Sequence, residues 1–185
     1  MSADGTTPAP AEFLAFRTVA SPIGDIFLAA TAVGIVRVGL PTEHANLLTH
    51  ELISHLEVPV RETASVLDTA QRQLEEYFAG ERLRFELPLD WRLSDGFDLQ
   101  VQQQLSTIPY GTTCSYKDVA EAIGNPYAMR AVGASCGANP LPILIPCHRV
   151  IRANGDLGGY RGGLPTKVAL LTLEKQMLAQ EDQAH

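Results

Sequence analysis

Residues 115–137 read SYKDVAEAIGNPYAMRAVGASCG, a pattern typical of two short helices joined by a tight turn. Ser115 followed by Asp118 predicts a capping box at the start of the first helix, and Gly124 is expected to end it. Asn125 is expected to cap the second helix, with the following proline at the first helical position, where a missing N–H costs little. The stretch therefore predicts a helix-turn-helix, although many helical hairpins bind nothing.

The predicted second helix is unusually thin. Arg130 is the only charged residue within it. One explanation is close packing against a core. The other is insertion into a narrow groove, since the DNA minor groove is about 6 Å wide and an ordinary helix is about 10–12 Å across. The helix alone leaves both open. Its small residues are Ala128, Ala131, Gly133, Ala134, Ser135 and Gly137.

Directly downstream, residues 140–155 read PLPILIPCHRVIRANG. The apolar run 141–145 predicts a buried strand that ends at the next proline. Cys147 and His148 follow side by side. A cysteine at this place is either a packed core residue or a nucleophile held rigidly by the end of the strand.

Composition indicates a globular protein. The chain has 185 residues, 45% of them hydrophobic and 19% charged, and no apolar run approaches the length of a membrane span. The first 13 residues carry no basic residue before an apolar run, so they do not predict a secretory signal. The cysteines are odd in number and widely spaced, which argues against a disulfide framework. We therefore expect a cytoplasmic protein without membrane association.

The net charge of −7 argues on its face against a nucleic-acid partner. However, residues 96–185 hold 7 basic and 7 acidic side chains, and residues 130–167 hold five basic side chains against one acid. The positive charge is thus concentrated in the motif region. An ordinary mixed surface explains this charge pattern equally well.

The first half predicts a small α/β domain. Residues 13–40 alternate apolar stretches with turn signals at 22–24 and 33–34, which predicts three antiparallel strands. Further helices are expected over 43–56, 65–79 and 98–107. The Pro, Asp and Gly of residues 85–96 indicate a connector. The predicted organisation is a disordered tail over 1–10, an N-terminal α/β domain over 11–90, a C-terminal domain over 91–178, and a flexible tail over 179–185.

Three segments together resemble one known family, the O6-alkylguanine-DNA alkyltransferases, also called methylated-DNA–protein-cysteine methyltransferases. The segments are IPYGTTCSYKDVAEAIGNP (108–126), MRAVGASCGANPLPILIPCHRVI (129–151) and GGYRGG (158–163). The resemblance implies an α+β fold: a ribonuclease-H-like N-terminal domain with a three-stranded antiparallel sheet, then a mainly helical, winged helix-turn-helix-like domain. It also implies a single, irreversible transfer of a methyl or alkyl group from O6 of guanine in duplex DNA to a cysteine of the protein, with O4 of thymine as a further substrate left open.

The resemblance assigns the catalytic roles. Cys147 is expected to be the nucleophile, and as a thiolate, because a free cysteine with a pKa of about 8.5 is mostly thiol at neutral pH. His148 is expected to act as base through a bridging water, with Glu174 orienting and charging the imidazole. Asn139 is expected to hold the site together, and Tyr116 to donate its hydroxyl to the guanine.

The resemblance also implies a pocket and a DNA surface. A stacked base cannot reach the sulfur, so the nucleotide must be flipped out, with Arg130 filling the gap in the duplex. The substrate pocket is expected to involve the carbonyls of Cys147 and Val150, with Tyr160, the backbone of Arg161, and Cys136. The other expected contacts to the minor groove come from Ala128, Met129, Ala131, Gly133, Lys117 and Asn125. We expect a monomer and leave cooperative assembly on DNA open.

The sequence departs from the family pattern at several places. Gln102 stands where a tryptophan is usual, and Arg161 where serine or alanine is usual. Residues 1–113 contain no cysteine, so the structural zinc of some relatives is not expected, nor is any cofactor. A zinc site using Cys114, Cys136, Cys147 and His148 lacks the paired C-x-x-C spacing. The remaining alternatives are a cysteine hydrolase and a non-catalytic protein that binds damaged DNA.

Overall fold

The computed structural model describes residues 12–62 and 64–183, so the predicted tail over 1–10 lies outside the described residues. The described part begins with a three-stranded sheet and two helices and continues as a mainly helical half, as predicted. Its elements are β1 Leu14–Val19, β2 Ile26–Thr31, β3 Ile35–Gly39, α1 Ala45–Leu56, α2 Ser65–Phe78, α3 Gly96–Leu105, β4 Cys114–Ser115, α4 Tyr116–Ala122, α5 Met129–Ala138, β5 Val150–Ile151 and α6 Leu164–Gln183.

The N-terminal sheet has the order β1-β2-β3 and is antiparallel throughout, which confirms the prediction from the turn signals. Every residue of the central strand β2 is buried, because helices cover both faces of the sheet. On one face Phe27 packs with Leu48 and Leu52 of α1. On the other face α2 contributes Leu67 and Leu74 to a larger core. That larger core also contains residues of α3, α4, α5 and α6, so it extends through both halves of the chain.

The predicted capping box is present at the start of α4. The amide of Asp118 donates to Ser115 Oγ over 3.1 Å, and the amide of Ser115 donates to Asp118 Oδ2 over 2.7 Å. Gly124 follows with a φ of 75°, as a glycine after a helix often does. The prediction that Asn125 caps the next helix is wrong, because α5 begins only at Met129. Residues 125–128 instead form a turn, closed by the amide of Ala128 donating to the Asn125 carbonyl. Asn-Pro at the first two positions is typical of such turns.

The predicted strand over 141–145 is also wrong. The segment is a tight turn in which the amide of Ile145 donates to the carbonyl of Leu141 over 2.8 Å, and Ile143 has a φ of 74°. The flanking Pro140 and the internal Pro142 lack the N–H groups that a ladder needs, which favours the turn. Cys147–Arg149 then form one turn of 3₁₀-helix before β5, which pairs in parallel with β4.

The last helix, α6, extends into the predicted flexible tail. The predicted flexible tail began at residue 179, but α6 extends to Gln183. The stretch 166–183 contains no glycine or proline and is rich in good helix formers, so nothing in it ends the helix. Residues 184–185 lie outside the described part. Among the described residues, no helix is both long and apolar enough to cross a lipid bilayer.

Candidate active site

A cleft of about 700 Å³ opens beside Cys147. Helix α5 forms one wall, and the glycine-rich loop 158–161 forms the other. Many of the predicted site residues line it, including Tyr116, Lys117, Met129, Arg130, Gly133, Cys136, Cys147, Tyr160 and Arg161.

Cys147 is held in a rigid position at this cleft. Cys147 is only 5% exposed, and its amide donates to the carbonyl of Ile145 over 2.8 Å. The side chain of Asn139 ties the preceding turn together: Nδ2 donates to the Ile145 carbonyl over 2.9 Å, and Oδ1 accepts from the amide of Leu141 over 3.0 Å. Burial raises the pKa of the Cys147 thiol, while a hydrogen bond with Asn139 and the positive charges of Lys167 and Arg161 act in the opposite direction.

His148 lies directly behind Cys147 and is completely buried. Its Nε2 is 2.7 Å from Oε1 of Glu174. Because an ionised carboxylate only accepts hydrogen bonds, Nε2 carries the proton and Nδ1 keeps a free lone pair. Nδ1 has no hydrogen bond within the described part of the chain. Burial lowers the pKa of His148 more than Glu174 raises it, so the imidazole is neutral.

Glu174 is the centre of a buried network that the sequence did not reveal. Besides His148, it accepts from Tyr77 Oη over 2.7 Å, from Arg149 Nε and Nη2 over 2.9 Å each, and from the amide of Gly111 over 3.1 Å. Burial would raise the pKa of Glu174, but the hydrogen bonds from His148 and Arg149 outweigh it and hold that pKa at about 2. The carboxylate is therefore ionised at neutral pH.

Arg149 and Tyr77 both belong to this network, but the sequence offered a signal only for Arg149. Arg149 stands next to His148 in the conspicuous PCHRV segment, and its charge in an apolar stretch was a usable signal. Tyr77 lies 97 residues before Glu174, on α2 of the N-terminal half, and nothing in its neighbourhood marks it. Through Tyr77, the first half of the chain contacts the site directly.

A second buried cation, Lys167, was also missed. Its Nζ donates to the carbonyl of Val150 over 2.6 Å, to that of Leu157, and to that of Gly159 over 3.4 Å. The ammonium thus fixes β5 to the glycine-rich loop. The carbonyl of Val150, which was expected to face a guanine, already accepts one hydrogen bond from this lysine.

The remaining pocket residues also line the cleft. A Cβ on Gly158 would lie 2.7 Å from the hydroxyl of Tyr116, so only glycine leaves room for that hydroxyl. Tyr116 is half-buried, and burial raises its pKa, which keeps the phenol protonated. The hydroxyl of Tyr160 is buried and makes no hydrogen bond within the described residues. Burial likewise raises the pKa of Cys136, so both cysteines of the cleft are thiols.

The outer face of α5 is exposed. Val132 and Ser135 point into the protein, and Ser135 donates to Asp98 of α3, whereas Arg130 and Ala131 are exposed to solvent. Met129 is 46% exposed. The small residues therefore serve close packing on one side of α5 and keep its other side thin. Of the other predicted DNA contacts, Ala128 and Gly133 are partly buried, Asn125 is exposed, and Lys117 forms an exposed 3.5 Å ion pair with Glu121.

Gln102 is accommodated by a polar contact. It is 1% exposed, and its Oε1 accepts a hydrogen bond from Ser94 Oγ over 2.5 Å. Among the described residues, no three His, Cys, Asp or Glu side chains gather where they could hold a metal ion.

Comparison with known proteins identifies the family of the chain. Residues 96–176 match the family described as 6-O-methylguanine DNA methyltransferase, DNA binding domain, and residues 14–91 match its ribonuclease-like domain. Methylated-DNA–protein-cysteine methyltransferase of Mycobacterium tuberculosis is 42% identical over 165 residues, covering 86% of this chain and 92% of that protein. The chain belongs to the methylated-DNA–protein-cysteine methyltransferase family.

Other members of the methylated-DNA–protein-cysteine methyltransferase family are similarly close. That of Methanosarcina barkeri is 41% identical, covering 88% of this chain and 98% of the relative. The crystal structure of Mycobacterium tuberculosis OGT in complex with DNA superimposes with a TM-score of 0.77 and 40% identity, covering 88% of this chain and 94% of the other. The resemblance and the fold class inferred from the sequence are thereby confirmed.

Proposed function

We propose that this protein repairs alkylated duplex DNA by transferring a methyl or larger alkyl group from O6 of guanine to the sulfur of its own Cys147. The observation that carries the assignment to Cys147 is its position: a buried thiol at the cleft, fixed by Asn139 and backed by a neutral His148 that is bound to an ionised Glu174. The family to which the chain belongs supports this chemistry, as do relatives named for it.

His148 is the proposed base. The free lone pair of Nδ1 accepts the proton of the Cys147 thiol through a bridging water, and Glu174 stabilises the imidazolium that results. This order explains why the imidazole is neutral beforehand, because a protonated ring has no lone pair to offer.

The transfer itself is a displacement at carbon. The sulfur forms a bond to the alkyl carbon while the bond from that carbon to O6 breaks, and the electron pair stays with the guanine. Tyr116 is the proposed donor of a proton to the leaving guanine, since its phenol is protonated and borders the cleft. The product is a thioether on Cys147, so each molecule reacts once.

Access to the base requires an extruded nucleotide. The thiol lies at a recessed position that a stacked base cannot reach, and flipping a nucleotide costs a few kcal/mol. We assign the minor groove to the thin, exposed side of α5 and the vacated stack to Arg130. Met129, Ala128, Ala131, Gly133, Lys117 and Asn125 are the proposed neighbours of the backbone, and Cys136, Val150, Tyr160 and Arg161 those of the base.

The proposed organisation follows the two matched regions. The N-terminal α/β domain over 11–90 supports the site through Tyr77, and the C-terminal domain over 91–178 binds DNA and carries the chemistry. The protein is proposed to act as a cytoplasmic monomer, with no cofactor, and the connector 85–96 separates the two parts.

One incubation tests the function. The protein is mixed with an equimolar duplex carrying one O6-methylguanine, and its peptides are analysed by mass spectrometry. A gain of one methyl on the Cys147 peptide, in proportion to the guanine restored, is expected. The variants Cys136→Ser and Cys114→Ser serve as controls that keep Cys147. A methyl on another residue contradicts the assignment to Cys147, and repeated turnover of an acyl substrate instead favours a cysteine hydrolase.

A further inference from the structure

Arg161 connects three segments that meet beside the cleft. Its carbonyl accepts a hydrogen bond from Thr42 Oγ1 over 3.1 Å, in the connection between β3 and α1. Its guanidinium lies 3.6 Å from Oε1 of Glu43 and donates through Nη2 to the carbonyl of Gly137 near the end of α5. One side chain of the glycine-rich loop is therefore tied to the N-terminal half and to α5 together.

The partner carboxylate is itself held in place. Arg37 Nη2 donates to Glu43 Oε1 over 2.6 Å, and the amide of Leu40 donates to Glu43 Oε2 over 2.9 Å. The side chains of Arg37 and Glu43 are 12% and 15% exposed, and that of Arg161 is 28% exposed. This partial shielding makes the contact less sensitive to screening than an ordinary surface ion pair.

The contacts of Arg161 matter for the site because they lie where the two walls of the cleft meet. One wall of the cleft is α5, with Cys136 and Gly137, and the other is the loop that carries Tyr160 and Arg161. The hydrogen bond from Arg161 to Gly137 joins the two walls at that end of the cleft. The walls cannot separate there unless that bond and the contact with Glu43 are given up.

We propose that Arg161, held by Glu43, is a specificity-determining residue that limits the size of the alkyl group accepted at Cys147. The proposal rests on the alkyl transfer proposed above. Under this proposal a methyl group is accommodated with the walls in place. A benzyl group, larger by a whole ring, needs more room between the walls and meets the resistance of this clasp, defined as Arg161, Glu43 and Gly137.

Arginine is required for this role. Its planar fork presents several donors in fixed directions, so one side chain can contact both the carboxylate and the carbonyl. A lysine at the same position has a single ammonium on a flexible stem. Arg161→Lys is therefore expected to keep the charge but lose most of the clasp.

The experiment compares two substrates in one protein. Single-turnover rate constants are measured with O6-methylguanine and O6-benzylguanine placed in the same duplex, and the ratio of benzyl to methyl rates is the readout. Arg161→Ser is expected to raise this ratio about tenfold, the scale on which a pocket distinguishes small apolar groups. Glu43→Gln and Arg161→Lys are expected to raise it less, and Glu43→Gln combined with Arg161→Ser no further than Arg161→Ser alone.

Arg152→Ser is the matched control. Arg152 is an exposed arginine that also lines the cleft, and its side chain makes no hydrogen bond or ion pair among the described residues. Its loss removes the same charge and should leave the ratio unchanged. A general loosening of the fold would slow both substrates alike and would not raise the ratio.

The outcomes separate the two proposals. If the unaltered protein transfers no methyl group, the proposed function fails. If it does, and the ratio is unchanged or lower in Arg161→Ser, the clasp is refuted. Should Arg161→Ser fail to fold, Glu43→Gln and Arg161→Lys decide the matter by the same criterion.

Discussion

Two charged residues on opposite sides of Cys147, Glu174 and Arg130, differ in how completely they are bound. Behind the sulfur, both carboxylate oxygens of Glu174 accept hydrogen bonds, and its neighbours His148 and Arg149 are buried with it. In front, Arg130 is exposed and makes no hydrogen bond or ion pair within the described residues. The rear network is pre-organised, whereas the front is left for a partner to complete. Catalytic groups benefit from such rigidity, and a binding surface needs free donors.

The largest effect is expected at the sulfur between the two sides. Cys147→Ser should reduce methyl transfer below detection, because an alcohol is far less ionised than a thiol at neutral pH. Affinity for the methylated duplex should remain, since the exposed face of α5 is untouched. Transfer is followed by mass spectrometry and binding by fluorescence anisotropy. Transfer at a measurable rate by the serine variant would contradict the role of Cys147.

The rear network is tested by Glu174→Gln. The substitution leaves the guanidinium of Arg149 buried without its counter-charge, and breaking a buried ion pair in this way typically costs about 3–5 kcal/mol. The melting temperature should fall by at least about 6 °C, measured by calorimetry. Glu121→Gln removes an exposed carboxylate that pairs with Lys117 and should cost at most about 1 kcal/mol. Equal melting temperatures for the two variants would mean that the buried network adds no stability.

Acid should weaken the same network. The pKa of Glu174 is about 2 in the folded protein and 4.5 in the unfolded chain. As the pH falls, the unfolded chain therefore takes up a proton at Glu174 before the folded protein does. The contribution of ionised Glu174 to the free energy of unfolding is complete above pH 4.5 and is lost as the pH falls towards 2. It amounts to about 3 kcal/mol, at 1.36 kcal/mol for each pKa unit.

Urea unfolding at pH 6, 4 and 3 measures this loss. Other carboxylates titrate in the same range, so the free energy of unfolding is compared with that of Glu174→Gln at each pH. The gap between the two proteins should narrow as the pH falls. A gap that stays constant from pH 6 to pH 3 would show that Glu174 is not the group responsible.

The smallest effect is expected at the front. Arg130→Ala should slow repair of duplex substrate by about tenfold, since the arginine is proposed to stabilise the opened stack. Free O6-benzylguanine needs no flipping, so its reaction should change by less than about twofold. Arg72→Ala is the control: this exposed arginine of α2 carries an equal charge and does not line the cleft. An equal loss on both substrates with Arg130→Ala would rule out a role in opening the duplex.

The sequence predicted what depends on local signals. The glycine and proline turns between residues 13 and 40 marked the three strands, and Ser115 with Asp118 marked the start of α4. The strand predicted over 141–145 was wrong because a short apolar run is compatible with a strand or a turn. Its composition suits a strand, but two prolines and the side chain of Asn139 favour a turn.

The site shows the same division. The PCHRV segment led to Cys147 and His148, and the family resemblance to Glu174. Tyr77 and Lys167 were not found, because their roles arise only when distant segments fold together. A tyrosine at helical spacing on α2 is indistinguishable from an ordinary core residue, and the three carbonyls that bind Lys167 leave no trace in side-chain identity.

The burial of Cys147 also bears on how long the protein stays usable. Oxidants attack thiolates much faster than thiols, and burial raises the pKa of this sulfur. In the free protein the sulfur is therefore both shielded from solvent and protonated. Under the single-use function proposed above, the protein must keep this thiol unreacted until it meets alkylated DNA. Because the Cys147 thiol is buried and protonated, it is protected from oxidation during that time.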